Sequence, residues 1–287
     1  MLTVLEIIKR TTGFLEKRGV EGARLNAELL IGHALGLKRM QLYLQFERPL
    51  TEPELEKIRP LVKRRGNREP LQHIIGTTQF CGLEFAVNRH VLIPRPETEI
   101  LAERAWRYLQ QRAEKLKTTR ALDFGTGSGC LAILLAVKCP KSEIHAIDIS
   151  AQAIAAAREN AARHTGATRI KFHLGDGFSV LEQKEKFDLI VSNPPYIPSE
   201  EIPTLEPEVR DYDPKLALDG GGDGLDFYRM LSQQAPSRLE DGGRLMLEFG
   251  EGQAEKVRAI FESQKWIVEA IEPDYTQRLR FFMARPE

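Results

Sequence analysis

Along the first seventy residues, apolar positions recur at three- and four-residue spacing, the period of a helix packed on one side. Leu5, Ile8, Thr12 and Leu15 fall on one such face, which Gly19 closes, and Thr3 with Glu6 forms a capping-box pattern at its start. Ala27, Leu30, Ile31, Ala34 and Leu35 outline a second helix that stops at Gly36. A third is predicted over residues 52–65, where Thr51 and Glu54 repeat the capping box and Leu55, Ile58 and Val62 share a face. Pro60 lies inside it and predicts a kink or two short pieces. Residues 1–70 thus read as a small helical domain. In the seventies the period changes. Residues 71–93 become strand-like around a turn at Cys81-Gly82, a β-hairpin linking two domains. Next comes a helix with Leu101, Ala105, Tyr108 and Leu109 on one face. Short apolar runs then alternate with helical stretches. Strands are predicted at 121–124, 143–147, 187–192, 243–249, 266–271 and 278–284, and helices at 130–137, 225–234 and 251–263. Ile170, Phe172 and Leu174 alternate with Lys171 and His173 as a further strand.

Candidate chemistry collects where these strands end. The strand at 121–124 runs directly into Gly125-Thr126-Gly127-Ser128-Gly129 and then a helix. Glycines let the chain bend sharply and a ligand approach the backbone, while the first helical N–H groups point into the same space. Asp148 ends the next strand, roughly twenty residues on, where a carboxylate can hold ribose hydroxyls. The pattern calls for a nucleoside-bearing cofactor, a dinucleotide or S-adenosylmethionine. A dinucleotide turn has the spacing G-x-G-x-x-G, whereas Cys130 stands here where the third glycine belongs. The third strand ends in Gly175-Asp176-Gly177-Phe178, an acid and an aromatic placed to bracket an adenine ring, although Asp176 also suits a solvated loop.

Asn193-Pro194-Pro195-Tyr196 follows the fourth strand. The prolines lack N–H groups and cannot continue a ladder, so nearby carbonyls are free to face a ligand. With the Asn193 side-chain carbonyl they can accept both hydrogens of a planar amide or amine, and Tyr196 can cover its flat face. An ordinary strand-to-loop turn is the plainer reading of the tetrapeptide alone.

Charge and cysteine content narrow the class. Forty-one basic residues balance 41 acidic ones among 287, which argues against holding long nucleic acid by bulk electrostatics. Cys81, Cys130 and Cys139 are odd in number and lack CxxC pairing, as expected of buried free thiols in a reducing cytoplasm. No metal-ligand spacing is evident among the histidines. The charged residues Glu6, Lys9 and Arg10 argue against a signal peptide, and the apolar run 130–137 is too short to span a membrane. Lys57, Arg59, Lys63, Arg64, Arg65 and Arg68 form a basic cluster, either a solvated face or a docking surface.

Pro94-Arg95-Pro96-Glu97-Thr98-Glu99, the Asn-Pro-Pro-Tyr motif, and the run Asp213-Pro214, Ala217-Leu218, Gly220-Gly221, Gly224-Leu225 together resemble the release-factor glutamine methyltransferases, the HemK/PrmC family. The resemblance spans nearly the whole chain. It implies a class I methyltransferase domain over 94–287, Rossmann-like, with a seven-stranded mostly parallel sheet whose final strand is antiparallel, behind a helical domain at 1–70 that binds the partner. It implies S-adenosyl-L-methionine as cofactor, held by Gly125, Thr126, Gly127, Ser128, Gly129, Asp148, Asp176, Gly177 and Asn193, with Phe178 sharing the adenine contact. Asn193, Pro194, Pro195 and Tyr196 would hold the substrate, and Asn193, Pro194 and Tyr196 would serve catalysis. Arg95 and Glu97 are placed to border the pocket. The implied reaction methylates the glutamine amide in a Gly-Gly-Gln segment of peptide-chain release factors, with no membrane and no direct nucleic-acid binding expected. From the residues alone, N-methylation of adenine or guanine in DNA or RNA stays open, as does a cofactor-binding sensor.

Overall fold

The computed structural model describes residues 2–287, in two compact units. The smaller comprises residues up to Thr77 together with Glu206–Tyr212, and the larger comprises Thr78–Leu205 and Asp213–Glu287.

Five of the smaller unit's six described helices come from its first stretch of chain: α1 (Val4–Lys17), α2 (Ala23–Leu35), α3 (Arg39–Tyr43), α4 (Glu52–Gly66) and α5 (Leu71–Ile75). The capping box of α1 forms, with the Thr3 hydroxyl accepting from the Glu6 N–H and Glu6 accepting from the Thr3 N–H. Its buried face is Val4, Ile8, Thr11 and Leu15, one step round from the predicted one. Thr12 sits at the margin, where its hydroxyl donates back to the Ile8 carbonyl at 2.8 Å. Contrary to the expected break, α4 is continuous through Pro60. That proline is exposed, so the carbonyl it leaves unpaired faces water at little cost. Residues 71–75 are likewise not strand but the helical turn α5, closed by Gly76 in the left-handed conformation at φ +86°.

The basic cluster divides among several roles. Arg65 is buried and donates to Asn26, to the Glu69 carbonyl and to Glu208, while Arg68 binds Glu206 and Glu208. Arg64 pairs with Glu69 and Arg59 with Glu52. Lys57 and Lys63 enter no ion pair among the described residues and stay exposed with Arg59, so half of the cluster is a solvated face and only Arg65 and Arg68 fasten the unit internally.

The larger unit begins at Thr78, within the hairpin of β1 (Thr77–Phe80) and β2 (Leu83–Ala86), which turns at Cys81 and Gly82, both at positive φ. Phe80 and Phe85 carry it into the core. There follow α6 (Thr98–Lys115), β3 (Thr119–Phe124), α7 (Cys130–Lys138), β4 (Ser142–Asp148), α8 (Ala151–Ala162), β5 (Lys171–Leu174) and β6 (Phe187–Ser192). After α9 (Pro207–Arg210) in the excursion to the smaller unit come α10 (Asp226–Gln234), β7 (Leu239–Glu248), α11 (Ala254–Ser263), β8 (Trp266–Pro273) and β9 (Leu279–Pro286). Seven strands form one sheet in the order β5-β4-β3-β6-β7-β9-β8. β3 to β7 run parallel, and β9 is antiparallel to both its neighbours. Alternate residues feed two cores, Ala121, Leu189 and Val191 into one and Leu122 and Ile190 into the other. Leu174 ends the edge strand and is 54% exposed.

The order of strands reverses between β3 and β6, since the chain builds outward from β3 through β4 to β5 and then returns to add β6 on the other side. Open α/β sheets bind ligands at this switch point, beyond the carboxyl ends of the strands.

Candidate active site

Both motifs singled out in the sequence leave those two neighbouring strands at the same end. The glycine turn follows β3, and Asn193-Pro194-Pro195-Tyr196 follows β6. A cavity opens there, lined in part by Gly125, Thr126, Gly127, Ser128, Asp148 and Asn193.

The turn is held from the next strand. Gly125 and Thr126 donate their N–H groups to the Ile147 carbonyl at 3.0 and 2.9 Å, and Gly127 donates to Asp148 Oδ2 at 2.9 Å. Gly125 and Gly127 have φ of +76° and +54°, and a Cβ on either would meet nothing within 4 Å, so the backbone itself is presented to open space. Gly129 behaves differently. It lies outside the cavity lining, and a Cβ there would sit 3.0 Å from both Ala157 Cβ and Ile133 Cδ1, which makes it a packing position between α7 and α8. Thr126 lines the cavity, but its hydroxyl is spent on Asp123 Oδ2 at 2.7 Å.

The acids of the site carry unequal burdens. Asp148 is raised by burial against hydrogen bonds from the backbone N–H groups of Ser150, Gly127 and Ile149, and it is only half-buried. Asp123 is fully buried, which pushes its carboxyl up to about 7 against the hydrogen bonds from Thr126 and Ala132. Its Oδ1 has no partner. Sequence reasoning missed this residue. The signal was present as a lone charge inside the apolar strand Ala121-Leu122-Asp123-Phe124. Asp176 is exposed and lines the cavity with Gly175 and Gly177. Phe178 does not line it; the ring is buried against Phe124, centroids 5.0 Å apart, and belongs to the core.

Of the tetrapeptide, Asn193 and Pro195 line the cavity, whereas Pro194 and Tyr196 do not. Asn193 Nδ2 donates to Thr98 Oγ1 at 3.2 Å, and no protein group reaches its Oδ1 or the Pro194 carbonyl among the described residues. The Tyr196 ring packs at the margin of the second core, and burial holds its hydroxyl well above the usual range. Three glycines crowd Tyr196. A Cβ on Gly220 would lie 2.8 Å from its Cα, one on Gly224 2.4 Å from its carbonyl oxygen, and one on Gly250 3.0 Å from its ring. These contacts explain Gly220 and Gly224 of the later motif, whereas a Cβ on Gly221 would meet the Asp226 side chain instead. Arg95 lines the cavity and pairs with Asp213 at 2.8 Å, whose carboxyl burial raises to about 6 against the Arg95 charge. Glu97 lies outside the lining.

A cationic, nucleoside-bearing cofactor fits these residues. Asp123 offers an unpartnered buried oxygen, the glycine backbone lies open, and the lining carries Asp148 and Asp176. Sheet order, glycine turn and the acid ending the next strand define a class I S-adenosylmethionine-dependent methyltransferase. The chain matches the PrmC N-terminal domain family over residues 6–76 and the methyltransferase small domain family over residues 103–204. It is 48% identical over 259 residues to the release factor glutamine methyltransferase of Geobacter sulfurreducens, covering 90% of this chain and 88% of that one, and 43% identical over 265 residues to that of Chlorobaculum tepidum, covering 91% and 90%. The chain belongs to the release factor glutamine methyltransferase family. Among solved structures, the hMettl16 catalytic domain, 16% identical, superposes with a TM-score of 0.53 over 82% of each chain, a likeness of fold. No helix among the described residues is long and apolar enough to cross a membrane.

Proposed function

We propose that this protein transfers a methyl group from S-adenosylmethionine to the side-chain amide nitrogen of glutamine in the Gly-Gly-Gln segment of peptide-chain release factors. The observation that carries the reading is Asn193, anchored through its amide nitrogen at the edge of the cavity with its carbonyl oxygen unclaimed.

An amide nitrogen is a poor nucleophile because its lone pair is delocalised into the carbonyl. The problem is one of aim and of charge, since positive charge builds on nitrogen as the new N–C bond forms and the bond from methyl to sulfur breaks. Asn193 Oδ1 and the Pro194 carbonyl, both without protein donors, accept the two amide hydrogens, direct the nitrogen and stabilise that charge. The proton then leaves to solvent, so no strong base acts first. Tyr196, whose ring packs against the second core and lies outside the cavity lining, would position the amide by packing. S-adenosylmethionine supplies the electrophilic methyl group. Asp123 Oδ1 would hold its ammonium, Asp148 its ribose, and Asp176 with Gly177 its adenine, while Gly125 and Gly127 leave the backbone open to it. The small helical unit is the partner-binding module in this reading.

The test is to incubate the purified chain with methyl-labelled cofactor and a release factor from its own source, with DNA and ribosomal RNA in parallel, and to locate the label by mass spectrometry. Label on the Gly-Gly-Gln glutamine is the expected result. Label confined to nucleic acid overturns the substrate assignment.

A further inference from the structure

A buried chain of three side chains ends at Asn193. Glu248, the last residue of β7, is almost wholly buried, and its Oε2 lies 2.6 Å from Thr98 Oγ1 at the start of α6. Thr98 Oγ1 in turn lies 3.2 Å from the Asn193 amide nitrogen. The hydroxyl of Thr98 has one hydrogen to give, whereas an ionised carboxylate can only accept. With Glu248 ionised, Thr98 must donate to it, and what remains on Thr98 oxygen is lone pairs. Only the NH₂ end of Asn193 can satisfy those. The Asn193 carbonyl is thereby left facing the cavity.

We propose that Glu248 is a positioning residue for methyl transfer: by claiming the Thr98 hydrogen it sets the direction of this hydrogen-bond chain and holds the Asn193 carbonyl toward the substrate amide. The inference rests on the reading of Asn193 as acceptor of the substrate's N–H groups. Protonation of Glu248 reverses the logic, because a carboxylic acid can donate to Thr98, which then donates to Asn193 Oδ1 and turns the wrong end of the amide outward.

The surroundings place that protonation within reach of ordinary pH. Burial pushes Glu248 up to about 7, opposed by the Thr98 hydrogen bond, by Arg280 on β9 and by Arg95, and reinforced by Glu97. Tyr196 and Tyr228 also face it; the Tyr228 hydroxyl donates to the Glu248 backbone carbonyl at 3.0 Å, and burial keeps both phenols protonated. The carboxylate form, and with it the productive direction, is present above that value and lost as pH falls through it.

The test compares kcat and KM for the cofactor, from about pH 5 to pH 9, in the wild type, Glu248→Gln, Thr98→Val, Thr98→Ser and Asn193→Ala. In the wild type, kcat is expected to fall as pH drops through about 7. Glu248→Gln, which can donate to Thr98 at every pH, should lower kcat by about 10- to 100-fold, the range seen when a group orienting a working residue is lost, and should flatten that acidic limb. Thr98→Val should do the same with KM for the cofactor changed less than about threefold, and Thr98→Ser should restore both rate and limb. Wild-type kcat and an unchanged limb in Glu248→Gln and Thr98→Val, with Asn193→Ala impaired, overturn the relay alone. Normal turnover in Asn193→Ala overturns the reading beneath it. Should Glu248→Gln not fold, the Thr98 pair decides the matter by the same readout.

Discussion

Asn193 and Asp123 are both polar residues at the ends of buried strands, and they are predicted to fail in opposite ways when altered. On the proposed mechanism Asn193→Ala removes an acceptor used as charge develops, so kcat should fall by about 10²–10³-fold while cofactor affinity, read by calorimetry, changes little. Lost affinity with normal turnover at saturation would contradict the assigned role. Asp123→Asn keeps an oxygen for Thr126 and Ala132 but removes the charge. A carboxyl raised by burial from 3.8 to about 7 binds its proton more tightly folded than unfolded, so its contribution to stability declines as pH rises between those values. The variant should therefore gain about 1–2 kcal/mol relative to the wild type near pH 8, less near pH 5, and lose about tenfold or more in cofactor affinity. Thermal unfolding at the two pH values separates the effects, and an equal gain at both would sink the linkage argument. The place of Asp148 in the cavity wall was legible in the sequence because it follows from a spacing to the glycines. Asp123 was not, because a charge within an apolar run acquires its meaning only from the packing that strands its second oxygen.

Between elements, what matters is how closely two backbones can approach. Gly224 has φ +74° and its missing Cβ would fall 2.4 Å from the Tyr196 carbonyl oxygen, whereas a Cβ on Gly222, two residues earlier, meets nothing within 4 Å. Gly224→Ala should cost about 2–4 kcal/mol and lower activity by displacing the segment that carries Tyr196, while Gly222→Ala should stay within about 0.5 kcal/mol of the wild type. Denaturant unfolding of the pair checks both, and equal stabilities would refute the contact argument. Helix starts at Thr3 and Thr51 were readable because a capping box is a local device that works within four residues. Local rules misjudged Pro60, whose cost depends on which side of α4 meets water, and residues 71–75, too few for their period to separate a helical turn from a strand. Leu174 alternates correctly yet remains exposed, since alternation says which residues share a face and not whether anything covers it.

Across the whole molecule, residues far apart in sequence acquire partners that no local pattern announces. Arg65 and Arg68 meet Glu206 and Glu208 across about 140 residues of chain, all within the smaller unit. Glu208 is held below its ordinary range because Arg68 and Arg65 outweigh the upward push of burial, so this contribution to stability is present at neutral pH and lost as pH falls through the carboxylate range. Glu208→Ala leaves the buried Arg65 with Asn26 and the Glu69 carbonyl and should destabilise the smaller unit by about 1–3 kcal/mol. Hydrogen exchange should quicken in residues 206–212 and at the end of α4 but not in β3 or β6; unchanged exchange in 206–212 would show that the ion pairs do not hold the segment. By itself the sequence determined what depends on short separations: the helix caps, the alternation of strands and helices, the glycine turn with its acid, and the prolines that free a carbonyl after β6. Tertiary structure alone decided which strands became neighbours, that Gly129 packs while Gly125 and Gly127 face the cavity, that Arg65 and Arg68 of a basic cluster became internal fastening, and that Glu248 reaches Asn193 through Thr98. The physical reason is that caps and turns are satisfied by groups a few residues away, whereas burial, unpartnered oxygens and the direction of a hydrogen-bond chain exist only once distant segments have excluded water from between them.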